Sequence, residues 1–342
     1  MAVGVRSELT DAFGRTARDL RVSLTDRCNL RCSYCMPPEG LPWLPTEEVL
    51  TDAEVGQVLR VAVEMLGVRR IRFTGGEPLL RPGLVGIVAH AATLRGEAGR
   101  PELALTTNGL GLDKKIGALA DAGLDRLNVS LDSLDAGRYA QLTLRDRLPD
   151  VLTGLAAVDR RGIGPVKINA VIRRGVNEED IVPLAEFCLA RGYQLRFIEQ
   201  MPLGPAHEWA RSAMVTADEI LGALQQRFTL SAAEEPRGAA PAQLWRVEPE
   251  GSIPGGVVGV IASVTRPFCG DCDRTRITAD GQVRSCLFSR RETDLRAVLR
   301  GGGSDDDLAE AWVGAHRVKP RAHGIDEDGF LPPIRTMSAI GG

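Results

Sequence analysis

Between residues 21 and 198 the chain repeats one pattern. A short apolar run with strand character is followed by a longer amphipathic stretch with helical spacing. The strand-like runs are 21–24, 70–73, 103–106, 126–130, 166–171 and 195–198, and the helical stretches are 51–66, 84–94, 113–122, 150–159, 177–190 and, after the last strand, 216–228. A strand that reaches a parallel neighbour through a helix crosses right-handedly, so this repetition dictates an α/β fold with a parallel sheet covered by helices. Six units fall short of the eight that close a barrel, and a partial, open TIM-type β/α barrel is expected. Thr51 and Glu54 form a capping-box pair at the start of the first helix and Gly67 ends it, while Asn177 reads as the cap of the helix over 177–190.

In such a barrel the ligand-binding groups sit at the C-terminal ends of the strands. The unusual residues of this chain fall there. They are the loop Cys28-Asn29-Leu30-Arg31-Cys32-Ser33-Tyr34-Cys35, then Thr74-Gly75-Gly76-Glu77, Thr106, Ser130-Leu131-Asp132 and Glu199-Gln200-Met201. The spacing C-x3-C-x2-C supplies three thiolates, one fewer than the four irons of a cubane cluster need, so one iron stays open to a ligand that is not protein. A structural zinc site wants four closed donors, and no histidine or fourth cysteine lies nearby in sequence. A second triplet, Cys269, Cys272 and Cys286, has the spacing C-x2-C-x13-C, which suits an iron–sulfur cluster or a zinc site, and both readings stand. Cys188 shares an apolar helical face with Ile181, Leu184 and Ala185 and reads as a small buried hydrophobe.

Charged residues inside core strands mark sites, and Arg21, Arg72 and Lys167 have that character. Arg274 and Arg276 alternate in Arg274-Thr275-Arg276, so in an extended segment they can point the same way, either to clamp phosphates or a base or as solvated arginines on an exposed strand. There is no G-x-x-x-x-G-K-[ST] loop, so a nucleotide here is not held by a P-loop, and four histidines in no metal-binding spacing argue against an H-E-x-x-H hydrolase.

Residues 1–230 are expected to form the barrel and 231–342 a C-terminal region with the second triplet and a slender Gly341-Gly342 end. Within the latter, 231–242 reads as a linker and 301–307 as a flexible acidic loop. Lys plus Arg is 42 against 45 for Asp plus Glu, a net charge of −3 that argues against a nucleic-acid binder. No run of eighteen apolar residues and no secretory leader occur, so a cytoplasmic protein without membrane association is expected, a setting in which grouped cysteines hold metals before disulfides.

The cysteine loop with Tyr34 between its second and third cysteines resembles that of the radical S-adenosylmethionine (SAM) enzymes. The match is closer to one family among them, the enzymes that cyclise GTP at the start of molybdenum cofactor (molybdopterin) biosynthesis. It is carried by 26–37, 72–78, Thr106-Thr107-Asn108-Gly109, 128–133, Arg196-Phe197-Ile198-Glu199, the second triplet and the Gly-Gly end, and runs from about residue 9 to 342.

That resemblance implies two [4Fe-4S] clusters, one on Cys28, Cys32 and Cys35 and one on Cys269, Cys272 and Cys286. It implies SAM on the open iron of the first, with Tyr34, Gly76, Ser130 and Met201 at SAM-contacting positions. GTP lies at the second, with Arg21, Arg72, Thr106, Lys167, Arg274, Thr275 and Arg276 at its contacts. Arg21, Gly341 and Gly342 carry over as catalytic positions, the last two in a tail that enters the active site. The implied reaction removes hydrogen from C3′ of the ribose with a 5′-deoxyadenosyl radical and joins C3′ to guanine C8. Implied partners are a one-electron donor of flavodoxin or ferredoxin type and the next pathway enzyme, cyclic pyranopterin monophosphate synthase; a homodimer is allowed. Asp19 and Asp273 depart from the family, which often has an aromatic residue and Asn there. The competing expectation is a radical SAM maturase that modifies a peptide and carries an auxiliary cluster.

Overall fold

The computed structural model describes residues 7–205, 209–234 and 236–341. Six parallel strands form in the expected places: β1 (Asp19–Ser23), β2 (Arg70–Thr74), β3 (Glu102–Thr107), β4 (Arg126–Ser130), β5 (Val166–Ile172) and β6 (Gln194–Glu199). Their residues alternate in character because successive side chains point to opposite faces. Leu20, Val22, Ile71, Phe73, Leu103 and Leu105 belong to one buried apolar cluster shared with the surrounding helices. The other face presents Asp19, Arg21, Arg70, Arg72, Lys167 and Arg196 to a cavity. The sheet therefore has an oily exterior under helices and a charged interior.

The crossover helices are α1 (Asp52–Arg60), α2 (Leu84–Thr93), α3 (Leu112–Asp121), α4 (Ala136–Thr143), α5 (Leu148–Arg161) and α6 (Ile181–Ala190), followed by α7 (Ala217–Gln225). The Thr51–Glu54 capping box is present, and α1 runs into a π turn, Val61–Met65, before Gly67 turns the chain at φ +70°. The reading of Asn177 as a helix cap is corrected. Its amide donates to the carbonyls of Asp132 (2.8 Å) and Val171 (3.0 Å) and its oxygen accepts from the Arg173 N–H (2.8 Å), so it ties together the ends of two strands. Cys188 is fully buried in the apolar cluster, as read.

The remaining chain extends the same sheet at both edges. Strands β7 (Leu230–Ala232), β8 (Gln243–Val247) and β9 (Gly256–Ile261) attach through β9, parallel to β6. Strands β10 (Arg274–Ile277), β11 (Gln282–Arg284) and β12 (Thr293–Asp294) attach through β10, parallel to β1. The order is β12-β11-β10-β1-β2-β3-β4-β5-β6-β9-β8-β7, an open sheet whose eight central strands are parallel. Helices α8 (Leu295–Arg300), α9 (Asp305–Arg317) and α10 (Met337–Ile340) follow. The expected acidic loop at 301–307 is half a helix start. Ser304 and Asp307 make a capping box, and Asp305, Asp306 and Asp307 sit in the first turn of α9, where the helix dipole favours negative charge. No helix among the described residues is long and apolar enough to cross a membrane.

Candidate active site

The inner face of the sheet encloses a cavity of about 560 Å³, a size suited to a small-molecule ligand. Among the described residues nine cationic side chains line it against three carboxylates. The register explains the concentration. Arg21 lies beside Arg72 on β2 and Arg276 on β10, and Asp19 lies beside Arg70 and Arg274. Parallel pairing in register places inward residues of neighbouring strands side by side, so a charge at each inward position becomes a belt.

Burial and mutual repulsion lower the proton affinity of these groups. Desolvation, then Arg276, Arg72 and Arg274, hold Arg21 well below its ordinary value. Desolvation followed by Arg72 and Arg126 brings Arg196 to about 9, and desolvation with Arg196, Arg126 and Arg72 brings Lys167 to about 8. The Nε atoms of Arg21, Arg72 and Arg274 are buried without a hydrogen-bond partner. Cations held together in this way are waiting for an anion with several charges, since isolated burial of like charges is costly.

Charge at the cavity's edge is partly balanced. Arg126 pairs with Glu102, and Arg70 bridges Asp273 and Asp19, the latter at 3.5 Å. The two carboxylates that depart from the family pattern thus share one guanidinium. Phe268 lies under both Arg237 (4.8 Å from ring centroid) and Arg274 (4.6 Å), and Arg274 donates to the Ala239 carbonyl (3.2 Å). The stretch read as a linker therefore supplies cavity wall.

Of the positions carried over by resemblance, Arg21, Arg72, Thr106, Lys167, Met201, Arg274, Arg276 and the three cysteines Cys269, Cys272 and Cys286 line this cavity. Thr275, expected among the GTP contacts, is not in the cavity lining. It points to the helical side, fully buried, where its hydroxyl accepts from Trp312 Nε1 at 2.9 Å. Arg126, Asn169, Arg196 and Arg237 also line the cavity and were given no site role from the sequence, although Arg196 stands in a stretch that carries the resemblance. For the first three, alternation with apolar neighbours in β4, β5 and β6 was the available signal; Arg237 lies in the stretch read as a linker.

The first triplet stands at the strand ends rather than in the cavity wall. Glu77 organises its surroundings, accepting from the Thr107 hydroxyl (2.7 Å) and the backbone N–H groups of Leu79 (2.9 Å) and Asn108 (2.7 Å). Asn108 then donates to Asn29 Oδ1 (2.7 Å) and lies 3.8 Å from Cys28 Sγ. The Tyr34 hydroxyl donates to Asp132 Oδ2 at 2.6 Å. Burial pushes the Asp132 carboxyl up to about 6 and the Cys35 thiol up to about 12. Gly76 lies where a Cβ would meet the Arg27 carbonyl oxygen at 2.3 Å, so the Gly75-Gly76 turn is there to let two backbones touch. Ser130 ends β4 opposite Asn169.

The C-terminal tail joins the two regions. Ser338 of α10 donates to Cys35 through both backbone and hydroxyl, while Met337 lines the cavity. Gly341 is buried against Ser23 and Thr74, and its carbonyl accepts from Arg276 Nη1 at 3.1 Å. Gly342, expected at a catalytic position, lies outside the described residues. Among the described residues no three cysteine, histidine or carboxylate groups converge tightly enough to share one metal ion. A cluster presents separate iron corners and asks for thiolates held apart, and each triplet offers three cysteines, all partly buried and unpaired by disulfides. In the second triplet burial alone would raise the Cys272 thiol, yet Arg274, Lys319 and Arg276 draw it below its ordinary value. These donors fit an anionic, thiolate-held centre.

Residues 22–188 match the family model of the radical SAM superfamily, and 193–325 match Molybdenum Cofactor Synthesis C. The chain is 63% identical over 336 residues to GTP 3',8-cyclase of Corynebacterium glutamicum (strain R), covering 98% of this chain and 89% of that protein. It is 57% identical over 334 residues to GTP 3',8-cyclase 2 of Mycobacterium tuberculosis (strain ATCC 25618 / H37Rv), covering 98% and 92%. Among solved structures, Streptococcus suis SuiB bound to S-adenosylmethionine superposes with a TM-score of 0.57 at 17% identity, over 83% of this chain and 66% of that one, a likeness of fold. The chain belongs to the GTP 3',8-cyclase family of the radical SAM superfamily.

Proposed function

We infer that this protein is a GTP 3',8-cyclase. It converts GTP to (8S)-3',8-cyclo-7,8-dihydroguanosine 5'-triphosphate, the first step of molybdenum cofactor biosynthesis. The observation that carries the reading is the cation-lined cavity with Cys269, Cys272 and Cys286 in its wall, in a chain with full-length cyclase relatives. A triphosphate is a compact multivalent anion of the kind such a belt suits.

Cys28, Cys32 and Cys35 would hold a [4Fe-4S] cluster, with SAM against Tyr34, Gly76, Ser130 and Met201. When bound, these groups supply one electron and abstraction of a hydrogen atom from the ribose. Cys269, Cys272 and Cys286 would hold a second cluster beside the guanine. Arg21, Arg72, Lys167, Arg274 and Arg276 hold the triphosphate, with Thr106 beside them, so that the ribose is presented at a fixed distance and angle. Arg276 has a second task, since it also holds the Gly341 carbonyl and thereby seats the tail that keeps water out. A one-electron donor of flavodoxin or ferredoxin type, the next pathway enzyme as recipient, a homodimer and a cytoplasmic setting complete the proposal.

Anaerobic incubation with GTP, SAM and a reductant, followed by mass analysis, tests it. The expected product has the mass of GTP and forms together with 5′-deoxyadenosine. Deoxyadenosine without consumption of GTP overturns it.

A further inference from the structure

The second triplet is gripped from behind by residues that the proposed function leaves unused. Lys319, just past α9, is 4% exposed. Its Nζ donates to the carbonyls of Cys272 and Arg274, each at 3.0 Å, and lies 3.6 Å from Cys272 Sγ. Those contacts occupy all three N–H bonds of an ammonium. The next residues continue the grip. Arg15 donates to the carbonyls of Pro320 (2.7 Å) and Arg321 (2.8 Å) and to that of Cys269 (2.6 Å), and the backbone N–H of His323 donates to the Cys269 thiol. Residues 319–323 form a strap across the back of the cysteine loop, with a donor on each of two sulfurs.

The partners of Lys319 explain what the strap is for. Its hydrogen bonds go to two carbonyls and a sulfur, not to a carboxylate. A buried ammonium is costly unless an anion faces it, and the anion that acts on it most strongly is the Cys272 thiolate, ahead of Cys286 and Asp11. Reduction of a cluster adds one negative charge, which a nearby cation in a low-dielectric setting stabilises, and hydrogen bonds to the ligating sulfurs act in the same direction.

We propose that Lys319 is a positioning residue of the second cluster: it fixes Cys272 and raises the reduction potential of the centre that Cys272 helps to hold. This rests on the two-cluster reading above. Its role is to make that centre easier to reduce without touching SAM or GTP.

The test uses full-length protein reconstituted anaerobically, as wild type, Lys319→Met and Lys319→Gln. Iron and sulfide are counted per chain, and both clusters are followed by electron paramagnetic resonance in a redox titration. At the potential where the wild-type second cluster is half reduced, Lys319→Met is expected to lower its reduced-to-oxidised ratio about tenfold, equivalent to about 59 mV for one electron. Lys319→Gln, which keeps donors and loses the charge, should fall between, and the first cluster should not move. If the Met variant does not fold, the Gln variant decides on the same measurement. A lower iron count with an unmoved midpoint in the clusters that remain means a structural clamp only, and overturns the proposal. Wild-type protein that binds only about four irons per chain, rather than about eight, overturns the two-cluster reading itself.

Discussion

Replacing Gly341 by Ala should uncouple the two halves of the reaction. Gly341 sits at φ +84° and ψ 98°, a conformation that costs a residue with a Cβ about 1–3 kcal/mol. The added Cβ would also lie 2.9 Å from Ser23 Cβ and 3.1 Å from Thr74 Cγ2, inside the 3.5–4.0 Å at which carbon atoms attract. Taken together the penalty is about 3 kcal/mol, which shifts the tail from docked to undocked about a hundredfold. Burial of Ile340 and the Arg276 bond to the Gly341 carbonyl are what that penalty opposes. The assay is the ratio of cyclised product to 5′-deoxyadenosine in anaerobic turnover. The variant is expected to keep cleaving SAM while the ratio drops at least tenfold. Adding Ser23→Gly removes the nearer contact but not the backbone strain, so it should restore the ratio in part. Wild-type coupling in Gly341→Ala would refute the reasoning, because it would mean that a seated tail is not needed.

Changing Arg274 and Arg276 together to Gln should spare uncoupled SAM cleavage and stop cyclisation; cyclised product from the double variant, seen by mass analysis, contradicts their role. Lys167 is held at about 8 by desolvation and neighbouring arginines, so GTP affinity measured without SAM should decline as pH rises above about 8, and this decline should vanish in Lys167→Met. A decline of equal size in that variant assigns it elsewhere. Glu199 is fully buried and accepts from the backbone N–H groups of Ala217 (2.8 Å), Val264 (2.9 Å) and Thr265 (2.9 Å), so Glu199→Gln strands donors on one side. The cost should be about 3 kcal/mol, read as a lower denaturant midpoint at unchanged slope, and a loss under 1 kcal/mol would count against it.

The barrel core was legible because each strand carries its own evidence: an apolar run, a helix after it, and chemistry at its C-terminal end. Both cysteine triplets and the paired Arg274 and Arg276 were legible for the same local reason. What escaped was set by distance. Nothing near Asp19 says that its neighbour will be Arg274, more than 250 residues later, and without that pairing the belt around Arg21 cannot be foreseen. Arg196 and Arg126 were given no site role because each looks like an ordinary charge until the register turns it inward. Asn177 was misread because an Asn before a helix usually caps it, whereas here three backbone groups from strand ends claim its amide. The start of α9 was hidden by glycines at 301–303 and three aspartates, though Ser304 and Asp307 spelled out its cap.

The strand order has a consequence for how the molecule is made. Of the described strands β1 leaves the ribosome before the others, and its outer neighbour, β10, is among the last. Throughout most of synthesis, therefore, one rim of the growing sheet offers bare N–H and C=O groups to any passing chain. The second set of cysteines, Cys269, Cys272 and Cys286, likewise emerges only when that rim is about to be covered.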